Sequence, residues 1–384
     1  MSRAGIYVHI PFCRSRCSYC DFATGAYEGA LAERYVRALV DEIERFHPTH
    51  DNTRFPLPHE ADTIYFGGGT PSLLAPAQLA TILDALQRNF RITPDAELTL
   101  EMNPGTVTPE VLSEFRRLGI NRASFGAQTF DDRELARLGR THTADDARRT
   151  LRDLRAAGFD NISFDLIAGL PEQSLAAWSR NLEEALALRP AHLSLYLLEV
   201  HEATPLAEHI KRGMWRAPDP DTAAEMYRLL VERAEAAGYE QYEISNFCLP
   251  GYESRHNVKY WTGAPYYGFG SSAHSFDGDS LRWSNERDAA RYTQLVEEGQ
   301  SPVVETTQLD EQDASAESLF LGLRLARGVS LEAHRARFGR DVRELYRDEL
   351  ERFSEAGLIE LCGDTLRLTR EGALLSNEVF AAFV

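Results

Sequence analysis

Short apolar and β-branched runs alternate along this chain with longer stretches in which apolar residues recur every three or four positions. The runs at 5–9, 62–66, 97–102, 122–125, 161–166 and 192–198 predict strands, and the stretches 31–46, 77–89, 109–118, 144–157 and 175–188 predict amphipathic helices. Start and stop signals support the helices. Thr108-Pro109 precedes one, Thr143 with Asp145 and Asp146 opens another, and Gly119 and Gly158 close two. Strands that alternate with helices imply a parallel sheet of βαβ units. Six units are too many for a small sheet and too few for a closed eightfold barrel. The expected fold is therefore α/β, an open, partial (β/α)6 barrel of the TIM type over residues 1–200.

The alternation fades after about residue 200. Residues 201–305 form a less regular connecting region rich in Tyr, Trp, His and Gly, densest between Tyr239 and Phe276. Residues 306–384 begin with helical patterns and end as helix, strand, turn at Gly363-Asp364, strand, helix, which predicts a small winged-helix-like module.

The 384 residues, 43% hydrophobic and 26% charged, describe a globular protein with room for a large domain and one or two small ones. No apolar run approaches the ~18 residues of a membrane span, and nothing ahead of Cys13 reads as a signal peptide. The five cysteines are an odd number, and Cys248 and Cys362 stand alone. That usage points to a reducing compartment, hence the cytoplasm. A net charge of −18 opposes a broad nucleic-acid footprint and disfavours DNA binding by the C-terminal module.

The remaining cysteines carry the chemistry. Cys13, Cys17 and Cys20 stand in Tyr7-Val-His-Ile-Pro-Phe-Cys-Arg-Ser-Arg-Cys-Ser-Tyr-Cys-Asp-Phe22, a C-x3-C-x2-C spacing. Three thiolates on one loop suit a 4Fe-4S cluster, with one iron open to a non-protein ligand. A zinc site with His9 as fourth ligand and a disulfide between two of the thiols are the alternatives. In such a barrel, functional groups gather where strands end. The cysteine loop follows the first strand and Gly67-Gly-Gly-Thr-Pro71 the second. Glu101 ends the third, with Asn103-Pro104 next. Gln128 lies beyond the fourth, Asp165 near the end of the fifth, and Arg140 follows Gln128 by twelve positions. The glycines allow close backbone approach to a ligand, or serve only a tight turn. Each carboxylate and Arg140 has an ordinary surface role as its alternative.

The cysteine loop, the Gly-Gly-Thr-Pro motif and the six βα units resemble the radical SAM superfamily. Tyr65-Phe-Gly-Gly-Gly-Thr-Pro-Ser, Ser124-Phe-Gly-Ala-Gln-Thr-Phe and Phe164-Asp-Leu-Ile-Ala-Gly-Leu-Pro resemble its oxygen-independent coproporphyrinogen III oxidase (HemN) group, over most of the chain. The resemblance implies S-adenosylmethionine chelating the open iron and contacting Tyr7, Tyr19, Gly69, Thr70, Glu101, Gln128, Arg140 and Asp165. It casts the Gly-Gly-Thr-Pro backbone as partner of the methionine amino group. Two features depart from the oxidase. Phe22 stands where it has a further cysteine, and its N-terminal extension is lacking here. Both match a sister group, the HemW heme chaperones, as does His256-Asn257-Val-Lys-Tyr260-Trp261 followed by Gly268-Phe-Gly-Ser-Ser-Ala-His274.

That resemblance implies a heme site with His256 as axial ligand and Tyr260 and Trp261 packing nearby. Heme needs such a ligand and an aromatic or apolar face. A hydrogen-bonded core histidine among ordinary core aromatics is the alternative. The implied function is heme binding and delivery to an acceptor protein, with transient membrane association through that acceptor and no nucleic-acid partner. The alternative is a radical enzyme acting on a porphyrinogen; charge disfavours a third class, radical modification of RNA.

Overall fold

The computed structural model describes residues 3–46 and 58–383. Six parallel strands follow one another in chain order: β1 (Ala4–Ile10), β2 (Glu60–Gly68), β3 (Arg91–Met102), β4 (Arg122–Gln128), β5 (Asn161–Ala168) and β6 (His192–Leu197). Helices α1 (Gly29–Arg45), α2 (Pro76–Asn89), α3 (Pro109–Arg117), α4 (Ala144–Ala156) and α5 (Leu175–Leu188) make the crossovers. Local chemistry sets their starts. Thr108 accepts from the Val111 amide, and Thr143 and Asp146 cap α4 reciprocally.

The sheet is wider than the six expected strands. Tyr266–Phe269 runs parallel to β1 on its free side, followed by His274–Phe276, Leu281–Asn285 and Val303–Gln308 in antiparallel succession. Asn246–Cys248 and Glu240–Glu243 add to the other edge beyond β6. Strands between residues 240 and 308 thus extend one twelve-stranded sheet at both edges. They are short and reached without the regular crossovers that announce a βαβ unit.

Alternation along the strands divides the sheet into two faces. Ile6, Val8, Ile64, Phe66, Leu98, Leu100, Ala123, Phe125, Ile162, Phe164, Leu193 and Leu195 are buried in the main apolar core with the helices. The intervening residues include Thr63, Glu97, Thr99, Arg122, Ser124, Ser163, His192 and Ser194, all buried. The inside of this barrel is therefore polar, unlike the layered branched side chains that fill a closed eightfold barrel.

The N-terminal end of the barrel is stopped by α7 (Arg255–Thr262), which lies beyond α6 (Pro220–Ala236) along the chain. The Glu97 carboxylate accepts from the first two amides of α7, those of Arg255 and His256, both at 3.2 Å. Lys259 pairs with Asp62 at 2.7 Å and donates to the Arg3 carbonyl. The C-terminal region packs its own core, including Leu319, Leu331, Phe353, Ile359 and Leu366. Helices Glu311–Leu323, Leu331–Phe338 and Arg347–Glu355 stand with a three-stranded antiparallel sheet of Val329–Ser330, Thr365–Leu368 and Ile359–Cys362, a winged-helix-like arrangement. Among the described residues no helix is long and apolar enough to cross a membrane.

Candidate functional site

β1 ends at Ile10, and the chain then crosses the mouth of the barrel as the cysteine loop. The glycine motif at the end of β2 fastens that loop. The Gly69 amide donates to the Ile10 carbonyl and the Thr70 amide to the Phe12 carbonyl, each at 2.8 Å. A methyl group on Gly69 would stand 2.7 Å from the Phe12 carbonyl oxygen. Gly68 has φ +108°, and a Cβ there would overlap the His9 ring. The farther limb of the loop is tied by the Ser18 amide to Leu138, and Ser18 in turn accepts from the Leu206 amide.

Cys13, Cys17 and Cys20 are partly buried on this loop and unbonded to one another, whereas Cys248 is buried and Cys362 exposed elsewhere. Side-chain donors address two of the three sulfurs, and the Phe22 amide addresses the third, Cys20. Thr70 Oγ1 lies 3.6 Å from Cys13 Sγ, and Arg140 donates to Cys17 Sγ at 3.4 Å. Arg140 also donates to Asn103 Oδ1 and the Gly126 carbonyl, both at 2.7 Å, and Asn103 donates to Thr70. Burial opposes the Arg140 charge, but neighbouring Tyr19, Cys17 and Asp165 outweigh it and raise its pKa. His9 is engaged through both ring nitrogens, with Tyr7 and with the Ala23 carbonyl, each at 3.0 Å. Among the described residues no three His, Cys, Asp or Glu side chains gather as ligands of a single metal ion. A cavity of about 270 Å³ reaches Cys17 between Arg14, Thr70, Asn103, Arg140 and His142.

Inside the mouth, Tyr65 donates to Glu101 Oε1 at 2.6 Å and the Gly68 amide to Oε2 at 3.2 Å. Burial and the nearby Asp165 charge raise the Glu101 carboxyl to about 7, against the pull of Tyr65, Gly68 and Arg122. Burial raises Asp165 to about 6, with Ser194, Arg122 and Arg140 opposing. Gln128 sits at a register shift with φ +66°, a conformation that costs a non-glycine residue energy and recurs at functional sites. A Cβ on Gly126 would meet the Gln128 amide at 2.3 Å and Arg140 at 3.2 Å, so both side chains lie over that glycine. Burial raises the pKa of Tyr19, against the pull of Arg140 and with Cys17 and Asp165 adding to it, and burial with the Glu101 charge raises that of Tyr7.

The barrel thus brings Tyr7, Tyr19, Gly69, Thr70, Glu101, Gln128, Arg140 and Asp165 to the end that carries the three cysteines. His256, Tyr260 and Trp261 lie at the opposite end, on α7. His256 is 1% exposed. Its Nδ1 meets Thr63 Oγ1 at 2.8 Å and its Nε2 meets the Tyr260 hydroxyl at 2.9 Å. Burial, then Lys259 and Arg122, lower its pKa to about 3, so the ring is neutral. The ring has the surroundings of a hydrogen-bonded core histidine. Trp261 lies under the Arg324 guanidinium at 4.3 Å. His274, by contrast, is exposed.

One interior residue escaped the sequence reading. Arg122 is 2% exposed and its charge acts on Glu101, Asp165, His192 and His256. It pairs in register with Thr99 and Asn161, and Arg122 Nε, Thr99 Oγ1 and Asn161 Oδ1 are all buried without a partner. The available signal was an arginine opening the run Arg122–Phe125, whose other residues are small or apolar.

Residues 7–185 match the Radical SAM superfamily model, and residues 309–375 match that of the HemN C-terminal domain. The coproporphyrinogen III oxidase HemN from Escherichia coli, a radical SAM enzyme, shares the fold with a TM-score of 0.84 at 23% identity, covering 100% of this chain and 90% of that one. The chain is thus a radical SAM protein, a partial barrel joined to a HemN-type C-terminal module. Its sequence relatives narrow the class. Heme chaperone HemW of Bacillus subtilis is 37% identical over 98% of both chains, and that of Mycobacterium tuberculosis 38% identical over 98% of this chain and 93% of its own. The chain belongs to the HemW family.

Proposed function

We propose that this chain binds heme and passes it to an acceptor protein in the cytoplasm, carrying a 4Fe-4S cluster on Cys13, Cys17 and Cys20 and S-adenosylmethionine at the barrel mouth. The full-length likeness to proteins named heme chaperones carries the heme part. The three partly buried thiols on one fastened loop carry the cluster part. They fit it, because two sulfurs face a hydroxyl or guanidinium donor, while His9 is engaged and offers no nitrogen for a zinc site. When bound, the cluster supplies one-electron chemistry at an iron without a protein thiolate.

The chain's own groups suit S-adenosylmethionine. Arg140 offers a lasting positive charge to a carboxylate, and Glu101 and Asp165 accept from amino and hydroxyl groups. Tyr7, Tyr19 and Gln128 complete the wall. The amides of Gly69 and Thr70 are used on the cysteine loop, so carbonyls are what the motif offers an ammonium group. Heme is assigned to the segment of His256, Tyr260 and Trp261. Ligation by His256 requires the hydrogen bond at the ligating ring nitrogen, to Thr63 or to Tyr260, to break, and His274 is the next candidate ligand. Any membrane association is transient and made through the acceptor.

The second reading is a coproporphyrinogen III oxidase, favoured by the shared fold with HemN. Phe22, 64% exposed where that group has a further cysteine, stands against it. Heme titration of the anaerobically reconstituted protein separates the two. The chaperone reading expects a saturable Soret band, altered in His256→Ala, and no protoporphyrinogen from coproporphyrinogen III with S-adenosylmethionine and reductant. Turnover of the porphyrinogen without heme binding refutes it.

A further inference from the structure

We propose that the helix carrying His256 and Tyr260 is the floor of the S-adenosylmethionine pocket, and that His256 is a positioning residue for Tyr65 and, through it, Glu101. The proposal rests on the reading of the barrel mouth given above. Thr63 and Tyr65 are two residues apart on β2 and face the same side of the sheet. The Thr63 hydroxyl holds His256 Nδ1 at 2.8 Å, and the imidazole lies against the Tyr65 ring, with centroids 5.2 Å apart and planes 29° apart. The Tyr7 ring flanks it at 6.4 Å. Tyr260 closes the far side at Nε2. From the other face of this stack the Tyr65 hydroxyl reaches Glu101 at 2.6 Å. Tyr260, His256, Tyr65 and Glu101 therefore form one column from the closed end of the barrel to its mouth.

The column has little slack. A Cβ on Gly5 would come within 3.2 Å of His256 Cε1, so β1 passes close to the ring and a side chain there would crowd it. Removing the imidazole opens a space of ring size beneath Tyr65. The phenol then has no support on that face, and its hydroxyl no longer points at one fixed carboxylate oxygen. A second consequence follows. Because an iron on Nε2 of His256 displaces the Tyr260 hydroxyl from that nitrogen, heme on His256 and the complete column are alternative states of the protein.

The test is equilibrium dialysis of S-adenosylmethionine against the anaerobically reconstituted full-length chain, with iron content and far-UV circular dichroism as controls. His256→Leu is expected to weaken binding by about fivefold to tenfold, on the scale of a misaligned hydrogen bond to a charged group. His256→Asn, which keeps a partner for Thr63, is expected to recover part of the loss. If His256 acts through Tyr65, the double variant with Tyr65→Phe binds no more weakly than Tyr65→Phe alone. Unchanged affinity in His256→Leu, in a preparation where Glu101→Gln weakens binding, overturns the proposal. So do fully additive losses in the double variant. Unchanged affinity in Glu101→Gln instead overturns the reading of the mouth, and the floor with it. Should His256→Leu fail to fold, Tyr260→Phe decides, since it deletes one hydroxyl. Wild-type affinity there refutes the column.

Discussion

Gly69→Ala is a sharp test of how the glycine motif works. The backbone of Gly69 lies outside the left-handed region, so alanine meets no left-handed-backbone penalty there. The cost is steric. The new methyl would stand 2.7 Å from the Phe12 carbonyl oxygen, 2.9 Å from the Ile10 oxygen and 2.9 Å from the Phe12 nitrogen. All three are backbone atoms of the segment leading into Cys13, and no side-chain rotation relieves them. Separating the segments stretches the bonds from the Gly69 and Thr70 amides. Overpacking costs about 1–3 kcal/mol and each hydrogen bond about 1 kcal/mol, so about 3 kcal/mol in all is expected. That is about a hundredfold in the population of the docked loop. Gly25→Ala is the control on the partner strand of the same loop, where an added Cβ meets nothing within 4 Å. The assays are urea unfolding of the apoprotein and iron and sulfide content after anaerobic reconstitution. Gly69→Ala should lose both stability and cluster, and Gly25→Ala neither. Wild-type stability and cluster content in Gly69→Ala would show that the glycine is not what docks the loop.

Three further outcomes are expected. Cys13→Ser, Cys17→Ser and Cys20→Ser should each lose iron and sulfide on reconstitution, while Cys248→Ser and Cys362→Ser keep both; full cluster in Cys17→Ser removes it from the ligand set. Asp165→Ala should weaken S-adenosylmethionine binding at least about tenfold with the cluster intact, the scale of a charge-assisted hydrogen bond, as read by equilibrium dialysis. Glu101 holds its proton up to about pH 7 in the folded chain against 4.5 ordinarily. The folded state therefore binds that proton more tightly, and its contribution to stability falls as pH rises from about 4.5 to about 7. Glu101→Gln should gain on the wild type over that window, and a gap in urea midpoint that is equal at pH 5 and pH 8 refutes the assignment.

What the sequence alone determined is local in character. Strand and helix periodicity, the Thr143 cap and the spacing of Cys13, Cys17 and Cys20 each depend on residues within one turn, one strand or one loop, and these signals located all six parallel strands and the five helices between them. The rule that function gathers at strand ends then anticipated that Glu101, Gln128 and Asp165 would share one mouth, because parallel strands all end on the same side. What only the tertiary structure decided depends on pairings across long stretches of chain. Thr63 and His256 are 193 residues apart, and no local pattern says that α7 closes the barrel or that its histidine points inward. Arg122 reads along the chain as the edge of a strand, and its place among Glu101, Asp165 and His256 arises only when six strands curl around it. The strands of residues 240–308 are short and partly antiparallel, so their pairing with the two sheet edges is decided by which edges the six units leave open. Local periodicity records which face of an element is apolar; it does not record what that element is packed against.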